Sequence, residues 1–351
     1  MKNSNKSLMR ALGISFLFGM SSMSFAEIIM NPGSNQASLS WSSEEANQLL
    51  NGDVSAAAYS ENEPSPQGST KVSTSIRSAS GITLSAPAKT VQIFDTGGYS
   101  HQPSVNARAA LVMDGQTGEV LYSKNSNTAF PIASITKLMT AVVIADARLN
   151  MSESIRLQQI DFAGAGGKNS SSTLRAGDSM NRAEALLFAL MKSENPAAAA
   201  LARTYPGGRA AFVAAMNAKA KALGMNSSRY VESSGLDPRN VSSARDLGIL
   251  VNTAAQYGLI RQFSTTPSYD FNLGYRVLKS NNTNALVRNG GWNINISKTG
   301  YINEAGRCVV MHTTLNNRPA VVVLLGADTS AARTSDATRL MTWVTQLPKR
   351  I

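Results

Sequence analysis

The spacing of apolar residues changes twice along this chain. Ala109-Ala110-Leu111-Val112-Met113-Asp114 and Glu119-Val120-Leu121-Tyr122 bracket Gly115 to Gly118 and predict a β-hairpin. Helical patterns then take over. Ser134–Ala145 is mostly apolar and Arg182–Met191 strongly so. Pro196 suits a first helical turn that Ala197–Ala202 continues. Arg209–Leu223 has helical spacing and stops at Gly224. Ser242 or Ser243 can cap a further helix through Asp246 and Leu247 to Tyr257, closed by Gly258. Strand patterns return at Ile294–Tyr301, Cys308–Leu315 and Ala320–Leu325, the last two flanking the turn Asn316-Asn317-Arg318-Pro319. A closing helix is predicted over Ser335–Gln346. Two strands, a helical stretch, three strands and a helix predict an α+β domain. It is an antiparallel five-stranded sheet flanked by helices, with an all-helical insert at about 150–285. The domain is expected to cover 105–351, enough chain for one substantial core.

The first 104 residues lack this patterning. Lys2, Lys6 and Arg10 precede an apolar core, Ala11 to Met20, that is too short to span a bilayer. Small residues at Ser24 and Ala26 place a cleavage site after Ala26, so residues 1–26 read as a secretion signal. The competing reading is a retained short anchor. No later run approaches the ~20 apolar residues of a membrane-spanning helix, so no integral membrane segment is expected after cleavage. Export to the periplasm follows. Residues 27–104 read as a disordered linker, because the 15 serines between Asn31 and Ser100 leave too little apolar surface to offset chain entropy. One island, about 42–51, has the pattern of a short helix with a serine cap.

Charge and cysteine content narrow the chemistry. The net charge is +11, and three of these charges lie in the leader, leaving +8. That favours polyanionic surroundings, although a solvated basic surface explains most of it. Nucleic acid is not expected as a partner: the chain is exported and shows no basic stripe with interleaved aromatics. Cys308 is the sole cysteine, so no intramolecular disulfide can form, and its apolar neighbours mark it as a core thiol. His101 and His312 match no ligand spacing, so no metal or other cofactor is expected.

Three short motifs carry candidate chemistry. Ser134-Ile135-Thr136-Lys137 opens a helix and sets Ser134 and Lys137 one turn apart on one face. A serine hydroxyl needs a base, and Lys137 qualifies if burial and a second cation such as Lys298 hold it neutral. Ser193-Glu194-Asn195 lies between two helices. A tight turn there can aim Ser193 and Asn195 the same way, Ser193 to relay a proton and Asn195 to bond Lys137 and a substrate amide. Lys298-Thr299-Gly300 lies on a strand, where alternation separates Thr299 from Lys298 and Gly300; a local bulge or an oblique edge strand is needed for Thr299 to meet substrate. Gly300 leaves room for an extended peptide. Taken singly, each motif has a plainer reading: a helix N-cap, a C-cap before proline, an edge strand guarded by lysine. Their order and setting favour the joint one.

The motif set resembles that of active-site-serine penicillin-recognising enzymes. From Asn106 onward the chain is similar to the low-molecular-mass penicillin-binding proteins of the D-alanyl-D-alanine peptidase family. Gly235-Leu236-Asp237, Ser243-Ala244-Arg245-Asp246-Leu247, Ala305-Gly306-Arg307-Cys308, Gly326, Arg333 and Leu340-Met341-Thr342-Trp343 add to the match. The resemblance implies a Ser134 acyl-enzyme formed on peptidoglycan stem peptides and cross-links, with β-lactams as covalent inhibitors. It implies an oxyanion hole from the backbone N–H groups of Ser134 and Tyr301, and a carboxylate clamp from Lys298, Thr299 and Arg333. The chain stops just past Trp343, without the extra β-rich domain and anchor common in the carboxypeptidases, which resembles the D,D-endopeptidase branch that cuts D-alanyl–diaminopimelate cross-links. A D-alanyl-D-alanine carboxypeptidase is the close rival, and a non-catalytic penicillin-binding sensor or wall scaffold a third reading. A serine β-lactamase is disfavoured, because no glutamate-bearing loop stands between the first and third motifs.

Overall fold

The computed structural model describes residues 28–30, 37–39, 75–77, 83–85, 92–95, 101–164 and 172–348. The expected secretion signal and the expected short helix at 42–51 lie outside these residues.

A central sheet organises the fold. Its strands are β1 (Phe94–Asp95), β2 (Ala109–Asp114), β3 (Glu119–Lys124), β4 (Asn293–Ile302), β5 (Gly306–Leu315) and β6 (Arg318–Ala327). Their spatial order is β4-β5-β6-β2-β3-β1, antiparallel except for the β1–β3 pair. The sheet thus has six strands, not the five expected. The extra one comes from the stretch read as linker: Phe94–Asp95 adds to the edge beside β3, and Arg245 holds it through the Ile93 carbonyl and the Asp95 carboxylate. Two residues are too few for a strand pattern to register.

Alternation along the strands sorts the core into two layers. Leu111, Met113, Val310, Val321 and Val323 face one cluster, while Val112, Val309, Met311, Val322 and Leu324 face another. The second is closed by Leu340, Met341, Trp343 and Val344 of the C-terminal helix. Because β2 and β6 are covered on both faces, they read as unbroken apolar runs.

The helices are α1 (Thr136–Ala147), α2 (Arg182–Leu187), α3 (Asn195–Arg203), α4 (Gly208–Ala222), α5 (Ala244–Ala254), α6 (Gly258–Thr265), α7 (Ala285–Asn289) and α8 (Ser330–Gln346). Residues Thr136 to Ala145 of α1 are all buried, so its apolar residues are spread around the helix rather than along one stripe. Between β3 and β4 the chain is not all-helical. Ser154–Arg156 pairs with Ser179–Asn181, and Ser268–Asn272 with Val277–Asn281. These strands are short and carry Ser, Asn, Asp and Lys, so no apolar alternation marks them.

Candidate active site

Ser134 lies in a single 3-10 turn, Ala133–Ile135, that leads into α1. Ala133 has φ of 47°, an unusual value for a residue with a side chain. Two glycines make room for this turn. A Cβ on Gly235 would lie 1.9 Å from the Ala133 carbonyl oxygen, and Gly235 itself has φ of 88°. A Cβ on Gly300 would lie 3.1 Å from the Ser134 nitrogen. The third-motif strand therefore rests on the nucleophile's own amide, which brings the Gly300–Tyr301 peptide beside it.

One turn along α1, Lys137 is fully buried. Its Nζ donates to Ser134 Oγ at 2.9 Å, to Asn195 Oδ1 at 2.5 Å and to the Ser234 carbonyl at 2.6 Å. Burial lowers its pKa to about 7, opposed by the charges of Glu232 and Glu194. Burial first, then Lys137 and Arg333, hold the Lys298 ammonium well below the usual lysine range.

Ser193 ends a π-helical turn, Phe188–Lys192, that prolongs α2. It takes the left-handed conformation, φ 66°, which lets the chain swing directly into α3 with Pro196 in the first turn. Asn195, rather than Ser193, holds Lys137; among the described residues no hydrogen bond joins Ser193 Oγ to either lysine. Glu194, between them, accepts from the hydroxyls of Ser172 and Thr173 and fixes the motif from behind.

On β4 the pairing with β5 is regular from Ile296 to Ile302, and the irregularity lies upstream, between Ile294 and Ile296. No bulge at Thr299 is needed, since β4 is the edge strand. Thr299 Oγ1 meets Thr283 Oγ1 at 2.7 Å, and the Thr283 amide is tied to the Met191 carbonyl at the end of the second motif's helix. Lys298 Nζ donates to the Thr299 carbonyl at 2.9 Å. Tyr301 is 46% exposed, with the Arg307 guanidinium 3.5 Å from its ring centre. Arg333 sits near the start of α8, only 8% exposed. Burial lowers its pKa, and neighbouring Arg307 and Arg288 add to the effect. No ion pair engages Lys298, Arg307 or Arg333 among the described residues.

A cavity of about 340 Å³ opens beside Asn195 along Ser233, Ser234, Leu236 and Asp237. The sequence reading missed the part played by this segment and by Thr283. The Ser234 group that binds Lys137 is a backbone carbonyl, which no side-chain motif encodes; the available signal was Gly235.

A buried lysine on a serine hydroxyl, at a helix start against an antiparallel edge strand, defines a serine acyl-transfer enzyme. The comparisons narrow the class. Residues 97–329 match the peptidase S11 family, described as D-alanyl-D-alanine carboxypeptidase. A D-alanyl-D-alanine endopeptidase of Pseudomonas aeruginosa is 45% identical over 277 residues, 77% of this chain and 85% of the relative. One from Escherichia coli is 45% identical over 248 residues, 69% and 78% of the two chains. The crystal structure of the Streptomyces K15 DD-transpeptidase superposes with a TM-score of 0.64 at 27% identity, covering 70% of this chain and 99% of that one. The chain belongs to the D-alanyl-D-alanine peptidase family and is a serine-type enzyme of that family.

Proposed function

We propose that this enzyme is a periplasmic D,D-endopeptidase that hydrolyses D-alanyl–diaminopimelate cross-links in peptidoglycan, with Ser134 as nucleophile and Lys137 as its base. The observation that carries the site assignment is the Lys137 Nζ, buried and held at 2.9 Å from Ser134 Oγ with its pKa near neutrality. As a free amine it takes the hydroxyl proton while Oγ attacks the D-alanine carbonyl carbon. The backbone N–H groups of Ser134 and Tyr301 stabilise the oxyanion. On collapse the carbon–nitrogen bond breaks, and the diaminopimelate amine leaves with the proton, relayed from Lys137 through Ser193. Water then attacks the ester, giving its proton to Lys137, and Ser134 is restored. Asn195 positions Lys137 and the substrate amide. Lys298, Thr299 and Arg333 bind the carboxylate next to the scissile bond, and Gly300 admits the extended peptide along β4. Penicillins acylate Ser134 by the same route.

Two 45%-identical relatives named as endopeptidases favour the cross-link as substrate. Carboxypeptidase action, which the family description names, is the second reading, since the C-terminal carboxylate of D-alanyl-D-alanine fits the same clamp. Mass spectrometry of sacculi digested with the mature protein separates them. Loss of cross-linked dimers is expected; faster loss of terminal D-alanine from monomers overturns the endopeptidase reading, and no turnover of either substrate leaves a penicillin-binding sensor.

A further inference from the structure

We propose that Glu232 is a positioning residue for the Lys137 base: its carboxylate folds residues 232–240 so that the Ser234 carbonyl meets Lys137 and Gly235 seats the nucleophile's turn. This rests on Lys137 acting as the base.

One carboxylate gathers four donors. Oε2 accepts from the Ser234 amide and the Ser234 hydroxyl, both at 2.6 Å. Oε1 accepts from the Gly235 amide at 2.5 Å and from Asn240 Nδ2 at 2.8 Å. The two amides it pins belong to the residues that touch the catalytic turn: Ser234 through its carbonyl on Lys137 Nζ, Gly235 through its contact with the Ala133–Ser134 peptide. Asn240 extends the grip. It is fully buried, and its Nδ2 also lies 3.1 Å from the Thr136 hydroxyl, next to Lys137 in sequence. Its backbone carbonyl accepts the Ile132 amide on the other side of Ser134. Without the carboxylate, two amides and a hydroxyl lose their acceptor in a packed segment, and the carbonyl that aims Lys137 loses its support.

Charge adds a second effect. Lys137 is faced by Glu232 from this segment, by Glu194 from the start of α3 and by Lys298 from β4, with Arg333 of α8 beyond Lys298. Burial alone would leave Lys137 a neutral but weak base; the carboxylates offset burial and keep its proton affinity near working pH, where a general base is most effective. A merely structural carboxylate would not tune that affinity.

The test is the second-order rate of acylation by a fluorescent penicillin between about pH 5 and pH 9, for wild type, Glu232→Gln and Glu232→Asp. In wild type the rate should rise with pH through about 7. Glu232→Gln should shift this rise about one unit lower and cut the plateau roughly tenfold or more. Glu232→Asp keeps the charge but not the reach, so the rise should stay while the plateau falls. An unmoved rise in Glu232→Gln, or plateaus within about twofold of wild type, overturns the proposal. If Glu232→Gln does not fold, Glu232→Asp decides: an undiminished plateau or a displaced rise overturns it. A wild-type profile with no rise near neutrality overturns the base assignment itself.

Discussion

Two lysines lie buried in one cleft, and their surroundings are opposite. Lys137 is enclosed by acceptors: a hydroxyl, an amide oxygen and a carbonyl, with two carboxylates close enough to raise its proton affinity. Lys298 donates to one backbone carbonyl and is otherwise among cations, with Lys137 and Arg333 both acting against its charge. The first wall is built to hold a lysine that gains and loses a proton. Among the described residues the second gathers cationic side chains without an ion-pair partner, an arrangement that lowers in energy when an anion enters. In the proposed mechanism one residue type serves base chemistry on α1 and anion recognition on β4, and the neighbours decide which.

The largest effects should come from the Lys137 wall. Ser134→Ala should abolish covalent penicillin labelling while circular dichroism stays native; a labelled peptide mapping to Ser193 instead would refute the assignment. Lys137→Arg places a permanent cation on the nucleophile, so acylation should drop by about 10²–10⁴-fold. Near-normal acylation by that variant means another group takes the proton.

Smaller effects should mark the Lys298 wall. Arg333→Ala removes a cation of the proposed carboxylate clamp, a loss of about 1.5–3 kcal/mol, seen as roughly a ten- to hundredfold fall in kcat/KM on both cross-linked dimers and pentapeptides. Rates unchanged on both would dismiss Arg333 from the clamp.

Stability should separate the walls from the rest of the fold. Lys137 has a folded pKa of about 7 against an ordinary 10.5. Between those values the unfolded chain binds the extra proton, so the burden on the native state is full below about pH 7 and is lifted as pH rises toward 10.5. Lys137→Met should therefore raise Tm most at neutral or acid pH, with the gain shrinking in alkali; a gain independent of pH would mean Lys137 is not depressed. The smallest effect belongs to the far edge of the sheet. Removing residues 1–104 deletes β1 and the half-exposed Arg245–Asp95 pair, worth about 0–1 kcal/mol. Tm should fall by only a few degrees, and penicillin labelling should persist.

Much of this was legible in the chain. The five longer strands and the helix behind Ser134 follow from period and composition. The first two motifs mark the hydroxyl and the amide that meet the Lys137 amine. What escaped notice has a common cause. The Ser234 carbonyl, the Thr283 hydroxyl and the Glu232 grip come from irregular backbone, where no period exists and the acting groups are often main-chain atoms. The repulsion between the two lysines was foreseen, and it acts against the charge on Lys298. Of the two arrangements open to Thr299, a bulge or an edge strand, the structure has the edge strand, paired regularly from Ile296 to Ile302.

The all-round burial of α1 also bears on how such an enzyme can evade an antibiotic. A helix sealed on every side opens only when the domain unfolds, so its amides should be among the slowest to exchange with solvent. Ser134 and Lys137 thus sit at the start of a helix packed into the core, where loosening them disturbs the packing around it. Variants that distinguish a β-lactam from a peptide are expected at the rim, where Tyr301 is exposed and Arg307 half-buried.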